Sequence, residues 1–333
     1  MATIYQVSEL AKVSLATVSR VMNGNTKVSD KTREKVLSAM KELGYRPNSI
    51  AQSLASSRGN SIGLLVSELD GAFFGEMMAG VESELRAAGK HIIVTTGHSI
   101  EEKEKEGIEF LISRNCDAII LHVEAVSDEY LVELSKGKTP IFFISRYVEQ
   151  LSEQCISLDN ELGGYLATKF LLNLGHTEIA CIAGPQHKFD AKARFNGYKR
   201  ALAEHDIPFR QGLFYTADFK ETGGSEGIAH LMAQNEKFTA LVCGNDEMAS
   251  GAMTYAREHG LALPEDLSVV GFDDVIFARY LYPKLTTILN PVNEMGRMAA
   301  KLVLKRVYKT QNKTIQQVFK PSLIVRDSAT SLN

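Results

Sequence analysis

From Ser61 onward, short apolar runs alternate with longer amphipathic stretches, and no other feature of this 333-residue chain limits its fold as tightly. Ile62 to Val66, Ile92 to Thr95, Ala118 to Leu121 and Ile141 to Ile144 are bounded apolar runs of strand length. Between them Phe73 to Ala88, Ile100 to Ser113 and Asp128 to Ser135 carry helical spacing. A second round follows. Strands are expected near Ile179 to Ile182, Phe214 to Thr216, Ala240 to Cys243 and Leu267 to Val270. They are interleaved with helices near Glu161 to Leu174, Asp190 to His205, Gly223 to Gln234 and Glu247 to His259. Continuous apolar strands separated by helices read as parallel sheets covered on both faces. Two such rounds predict two α/β lobes with a crevice at the carboxyl ends of the strands. Gln317 to Val325 reads as a last strand.

Residues before Ser61 follow another pattern. Ile4 to Ala11 places Ile4, Val7, Leu10 and Ala11 on one apolar face. Lys12 and Val13 can turn the chain, and Ser14 can cap a second helix in which Val18 and Val21 face back to the first. Leu15, Ala16, Thr17, Ser19 and Arg20 then point outward. This is either an ordinary helical pair with a solvated face or a helix-turn-helix that enters a DNA major groove. In the second case Arg20 can bond guanine through two donors, while Thr and Ser reach phosphates or base edges. Charge favours DNA: residues 1–59 hold nine Lys and Arg against four acids, whereas the remainder holds 28 against 36. A basic head on an acidic body is expected when one end meets phosphate. A third helix runs from Ser29 or Asp30 to Leu43, with Val36, Leu37, Met40 and Leu43 on its inner face and Gly44 as the stop.

The chain resembles the LacI/GalR family of bacterial transcription repressors, and within it most of all the galactose repressors. The likeness rests on Met1-Ala2-Thr3-Ile4, Val13-Ser14, Ala16-Thr17-Val18-Ser19-Arg20-Val21, Gly44-Tyr45-Arg46-Pro47-Asn48 and Ser53-Leu54-Ala55. Asn245-Asp246, Val270-Gly271-Phe272-Asp273-Asp274 and Leu285-Thr286-Thr287-Ile288 carry it into the second half. Phe73-Phe74-Gly75, Asp190-Ala191 with Arg194, and Phe238-Thr239-Ala240 point to the galactose repressors. The resemblance implies three parts: an all-α helix-turn-helix DNA-binding domain over 1–46, a hinge over 47–60, and an α/β two-lobed sensor domain over 61–333. The last, similar to a periplasmic binding protein, would bind effector and dimerise. It assigns Thr3, Leu15, Ala16, Thr17, Ser19, Arg20 and Asn23 to DNA, with Leu54 wedged into the minor groove from a hinge helix. Read without the family, residues 49–57 are too short for a stable helix, and a flexible linker with an incidental leucine is the better reading.

Strand ends are where ligand groups are expected. Phe73 and Phe74 follow the first strand and offer an aromatic face to a sugar or base, or simply pack in the core. Asn245 and Asp273 follow later strands, where each can bond hydroxyl groups or cap the next helix. Asp190 and Arg194 are spaced for an ion pair within one helix. By resemblance Arg194 reaches the effector, Asp190 lies at the pocket mouth and Phe219 covers the ligand. Ser145-Arg146 and Asp159-Asn160 are weaker candidates near the strands joining the lobes. This mixture of acceptors, donors and a ring suits a neutral hexose, D-galactose by resemblance, acting as inducer. A sugar phosphate or purine acting as corepressor is the alternative, and Lys188 and Lys192 could supply the cations a phosphate needs.

Other classes fit less well. Gly59-Asn60-Ser61-Ile62-Gly63 matches a nucleophile pattern, but the order of hinge, serine, strand is wrong for it. There is no phosphate-binding Gly-rich loop, no His-Glu-x-x-His and no cofactor fingerprint, so neither catalysis nor a cofactor is expected. Cys116, Cys155, Cys181 and Cys243 lie far apart without metal-ligand spacing, which suits reduced, buried thiols. No apolar run nears the roughly 18 residues that would span a bilayer, and the start has no signal-peptide pattern. A sugar-binding transport protein would explain two lobes but neither the basic head nor that start. The expectation is a cytoplasmic homodimer on a palindromic operator, without the terminal leucine heptads that build a tetramer.

Overall fold

A computed structural model describes residues 2–22, 28–45, 59–234, 236–310 and 314–332, and divides the chain into two compact units, 1–60 and 61–333. In the first unit α1 (Ile4–Ala11), α2 (Leu15–Met22) and α3 (Asp30–Glu42) enclose a small core of Val7, Ala11, Val18, Val21, Val36 and Ala39. Each start is fixed by a hydroxyl. Thr3 and Gln6 form a reciprocal capping box on α1, Ser14 Oγ accepts from the Thr17 N–H at 3.2 Å, and Ser29 caps α3. Lys12, in a left-handed turn, ends α1 so that α2 folds back on it. Two expected core residues are instead outside: Leu10 is 42% and Leu37 51% exposed. With helices this short, the small Ala11 and Ala39 take the centre because they let three axes approach, and the neighbouring leucines fall on the flanks.

The second unit contains two six-stranded sheets of matching order. In the first lobe β1 (Ser61–Val66) lies between β2 (His91–Thr96) and β3 (Ala118–Leu121), followed outward by β4 (Ile141–Ile144), β5 (Cys155–Leu158) and β11 (Val318–Phe319), all parallel. In the second lobe β6 (Ile179–Ala183) lies between β7 (Phe214–Thr216) and β8 (Ala240–Cys243). Beyond β8 come β9 (Ser268–Asp273), β10 (Thr286–Leu289) and the antiparallel β12 (Ser322–Ile324). Helices α4 (Ala72–Ala87), α5 (Glu101–Ser113), α6 (Asp128–Ser135) and α11 (Val292–Val307) cover the first sheet. Helices α7 (Asn160–Asn173), α8 (Phe189–Ala203), α9 (Glu221–Ala233) and α10 (Asp246–Glu258) cover the second. The chain thus passes between lobes after Leu158, after Leu289 and after Phe319. The run expected as one strand, Gln317 to Val325, is really two strands in different sheets. They are parted at Lys320-Pro321, where proline has no N–H to continue a ladder.

One packing device recurs in three helix pairs. A Cβ on Gly164 of α7 would overlap the carbonyl of Arg194 in α8, and one on Gly197 of α8 would overlap that of Glu161 in α7. Gly80 and Gly296 stand in the same relation to Asn293 and Met77, joining α4 to α11. Gly224 and Gly251 do so with Met248 and Glu221, joining α9 to α10. In every case the carbonyl belongs to the residue three places before the partner glycine, so the two backbones touch without side chains between them. Gly164→Ala should therefore force α7 from α8 and cost about 1 to 3 kcal/mol. Gly75→Ala, in α4 with nothing within 4 Å of the added carbon, should be neutral or stabilise by about 0.4 to 1 kcal/mol. Urea unfolding midpoints of the two variants check the contrast.

Candidate ligand cleft and DNA-reading face

The carboxyl ends of β1, β2 and β3 in one lobe and of β6, β7, β8 and β9 in the other open onto a single cleft of about 650 Å³. Such strand ends are where open α/β sheets place their ligands. Phe73, Asp190, Arg194, Phe219, Asn245 and Asp273, distant in sequence, all line it, as do Phe74 and Lys188. Lys192 does not; it is exposed on the outer side of α8.

Arg194 organises the second lobe's wall. Its guanidinium is buried, lies 3.7 Å from the Phe272 ring centre, and donates to Asn160 Oδ1 at 3.0 Å and to the Gly244 carbonyl at 2.6 Å. Asp273 Oδ1 stands 3.3 Å and Asp190 Oδ2 3.7 Å from it. The expected pair within one helix is therefore the weaker of two. Asp273 has a φ of 108° and Asp274 one of 53°. This left-handed kink turns the chain out of β9 and the Asp273 carboxylate back onto Arg194, a strain typical of functional sites. Burial raises Asp273 to about 6 even though Arg194 and the Asn290 amide, 3.1 Å away, favour its charge. Behind it Asp246 accepts from the Thr287 hydroxyl at 2.5 Å and the Val275 N–H at 2.9 Å. Burial and the nearby Asp273 push its carboxyl well up. Asn245 combines both of its expected roles: it caps α10 through Met248 N–H, 2.9 Å, and donates to the Phe219 carbonyl, 2.8 Å, while facing the cleft. Phe219, at φ 71°, lays its ring where a Cβ on Gly184 would stand.

The first lobe contributes Phe73 and Phe74 in edge contact at 5.3 Å, with His122 against both rings. Sequence reasoning missed Ser67, Ser99, His122 and Glu124, although His122 and Glu124 directly follow the apolar run Ala118 to Leu121. Glu124 accepts from Ser99 and from Ser67, and receives Lys188 of the other lobe at 2.7 Å. Burial alone would raise its carboxyl, but His122, Lys188 and Ser99 together hold it below the ordinary value. At the mouth Lys220 pairs with Glu68. The lining thus sets Glu68, Asp70, Glu124, Asp190, Asp218, Glu247 and Asp273 against Lys188, Arg194 and Lys220.

A small inner recess adjoins, lined by Ser145, Arg146, Asn160 and Asn290 together with Phe73, Asp190 and Arg194. Asp159 is turned to capping α7. Ser145 Oγ, Arg146 Nε and Asn290 Oδ1 are buried here without a hydrogen-bond partner among the described residues. Native interiors leave few such atoms, and those left call for a ligand or water.

In the first unit Leu15, Ala16 and Arg20 are exposed along α2, and Thr17 and Ser19 are half-buried beside them. Thr17 Oγ1 shares a hydrogen bond with Ser14, and Thr3 is an exposed cap. Asn23 and Leu54, with nearly all of the expected hinge, lie outside the described residues.

Family models for the bacterial regulatory proteins of the lacI family and for a periplasmic binding protein-like domain match residues 3–48 and 168–329. The regulator GalR of Salmonella typhimurium is 38% identical over 331 residues, 99% of this chain and 97% of the relative. The chain belongs to the lacI family of bacterial regulatory proteins. The ribose operon repressor of Haemophilus influenzae is 35% identical over the whole of both chains. The structure of a lac repressor dimer bound to operator and an anti-inducer superposes with a TM-score of 0.87 at 30% identity, 99% of each chain covered. This lacI-family chain is a transcription regulator and not an enzyme, with a helix-turn-helix head and a two-lobed domain of the periplasmic-binding-protein type. Among its described residues no helix is long and apolar enough to cross a membrane.

The raised Asp273 gives the regulator a pH signature. Its carboxyl holds a proton more tightly folded than unfolded, so between about 3.8 and 6 the folded state carries more protons and stability falls as pH rises, by a term on the order of 3 kcal/mol. Asp273→Asn removes that term. The stability gap between wild type and variant should shift in the variant's favour from pH 4 to pH 6.5; a gap constant with pH would show that burial of Asp273 is not felt.

Proposed function

We propose that this lacI-family regulator represses transcription in the cytoplasm as a homodimer on a palindromic operator and that a neutral hexose, D-galactose, releases it. The observation that carries the choice of a neutral ligand is the charge pairing in the cleft. Lys188 is matched by Glu124, Lys220 by Glu68 and Arg194 by Asp273 and Asp190, so among the described residues no lysine or arginine lining the cleft is left over for a dianion. A sugar hydroxyl needs no net charge. It donates to Asp190 or Asp273 and accepts from Arg194, while its ring's C–H face packs on Phe73 or Phe219. The three unpartnered atoms of the inner recess offer a hydroxyl donor and acceptor (Ser145), an N–H (Arg146) and a carbonyl (Asn290), which a polyol satisfies and an apolar ligand does not. Likeness to GalR supports galactose, and the ribose operon repressor at a similar identity keeps the sugar a matter for experiment.

Two-fold symmetry of a dimer matches a two-fold operator, each head offering Leu15, Ala16 and Arg20 to the major groove beside Thr3, Thr17, Ser19 and Asn23, with Leu54 at the operator centre. For galactose to act as inducer it must bind the DNA-free arrangement better. Moving the balance from 1:99 to 99:1 takes about 5.5 kcal/mol, which two cleft sites can share. At a hundredfold excess over its dissociation constant galactose should stabilise the fold by roughly 2.7 kcal/mol, and Asp273→Ala should abolish that gain. Arg20→Ala should weaken operator binding by about 1 to 3 kcal/mol and relax choice at one base pair, with random DNA little affected. A thermal response to a sugar phosphate or a purine in place of galactose would reject the effector and leave the regulator reading intact.

A further inference from the structure

Lys188 stands at the N-terminal end of α8, where a helix adds partial positive charge, and its ammonium lies 5.6 Å from the Phe219 ring centre inside the cleft. Together with Arg194 it would make this end of the cleft a natural seat for a phosphoryl group. Glu124, reaching from the opposite lobe, occupies it instead, 2.7 Å from Lys188 Nζ, with both side chains about 15% exposed. This carboxylate is held in place with unusual care. The buried Glu104 of α5 accepts from the N–H groups of Glu124, Ala125 and Val126 at 2.8, 3.0 and 2.9 Å. Arg146 donates to the carbonyls of Glu124 and Val126 at 3.5 and 3.2 Å, and Ser67 and Ser99 donate to the side chain. The backbone of Glu124 is thus fixed on both sides, and its carboxylate is held toward Lys188 by two hydroxyls as well as by the ammonium itself.

We infer that Glu124 is a specificity-determining residue of the cleft: it engages Lys188 across the lobes and thereby excludes phosphorylated ligands. The inference deepens the neutral-ligand reading above. Its consequence is that one isosteric change should alter the class of ligand accepted, since Glu124→Gln keeps the shape while freeing Lys188.

The test uses the full-length protein, titrated calorimetrically with galactose, galactose 6-phosphate and inorganic phosphate at fixed ionic strength. Wild type should give no saturable heat with either phosphate probe at millimolar concentration. Glu124→Gln should bind galactose 6-phosphate at least about tenfold more tightly than wild type, a change of ~1.4 kcal/mol, and adding Lys188→Met should remove the gain. Circular dichroism melts establish that each variant is folded, and Glu124→Ala is run in parallel. The inference is overturned if wild type already binds the ester as well as the variant does. It is equally overturned if a folded variant gains nothing, if the gain survives Lys188→Met, or if neither Glu124 variant folds. Failure of galactose to bind wild type would overturn the effector assignment alone, and charge exclusion is then read from inorganic phosphate, which should bind Glu124→Gln measurably more tightly than wild type and lose that gain with Lys188→Met.

Discussion

The buried guanidinium of Arg194 is the interaction on which the second lobe's half of the cleft depends. A charge this far from water is tolerated only when it is paired and its donors are met, and here the partners come from separate elements: Asn160 at the start of α7, Gly244 after β8, Asp273 at the end of β9 and Asp190 one turn earlier on α8. The same residue's carbonyl is the surface on which Gly164 rests. Helix packing below and ligand groups above are thus joined through one residue, and a displacement of α7 on α8 reaches the cleft without passing through any flexible loop.

Across the cleft the first lobe achieves the same rigidity differently. Its wall is a loop, 122–126, in which the His122 N–H still bonds the Leu65 carbonyl of β1 and the rest of the backbone is held by Glu104 on one side and Arg146 on the other. The Glu104 carboxyl meets N–H groups and the Arg146 guanidinium meets carbonyls, so both polarities of the backbone are satisfied by side chains. Function tends to sit on loops held by a rigid scaffold, and here His122 and Glu124 are presented in that way.

Alternation of apolar runs made the two-lobed α/β architecture readable, because a strand buried on both faces must be apolar throughout. Where a strand is partly polar the rule lost its grip: Cys155–Leu158 and Thr286–Leu289 carry Ser157, Thr286 and Thr287, and neither stands out. The passage of the chain back to the first lobe through α11 left no mark that periodicity detects, and Pro321 alone hinted that the final strand was double. The site was legible where strand ends could be named, hence Phe73, Asn245 and Asp273. Arg194 and Phe219 came from family resemblance, since nothing in the local sequence says that α8 faces the cleft. Glu104 could not have been found in sequence. A glutamate among Glu101, Glu102, Glu104, Glu106 and Glu109 reads as solvated surface, and only the approach of Gly97 and the loop above it makes this one interior.

The pairing of every cleft cation with a carboxylate bears on how such a regulator senses ligand at all. Lys188–Glu124 and Lys220–Glu68 each join one lobe to the other, whereas Arg194 draws all its partners from the second lobe. Surface pairs of this kind are worth little, and Lys220 with Glu68 is partly exposed, whereas Lys188 with Glu124 is shielded from solvent and less screened. Opening the lobes must separate the shielded pair and expose two charges together with the hydroxyls of Ser67 and Ser99. The lobes are therefore already joined before any ligand arrives, with desolvation of both charges offsetting part of the Coulomb gain. A ligand that bonds Asp273 and Arg194 influences the heads only by the difference between what it gains in the two arrangements of the lobes.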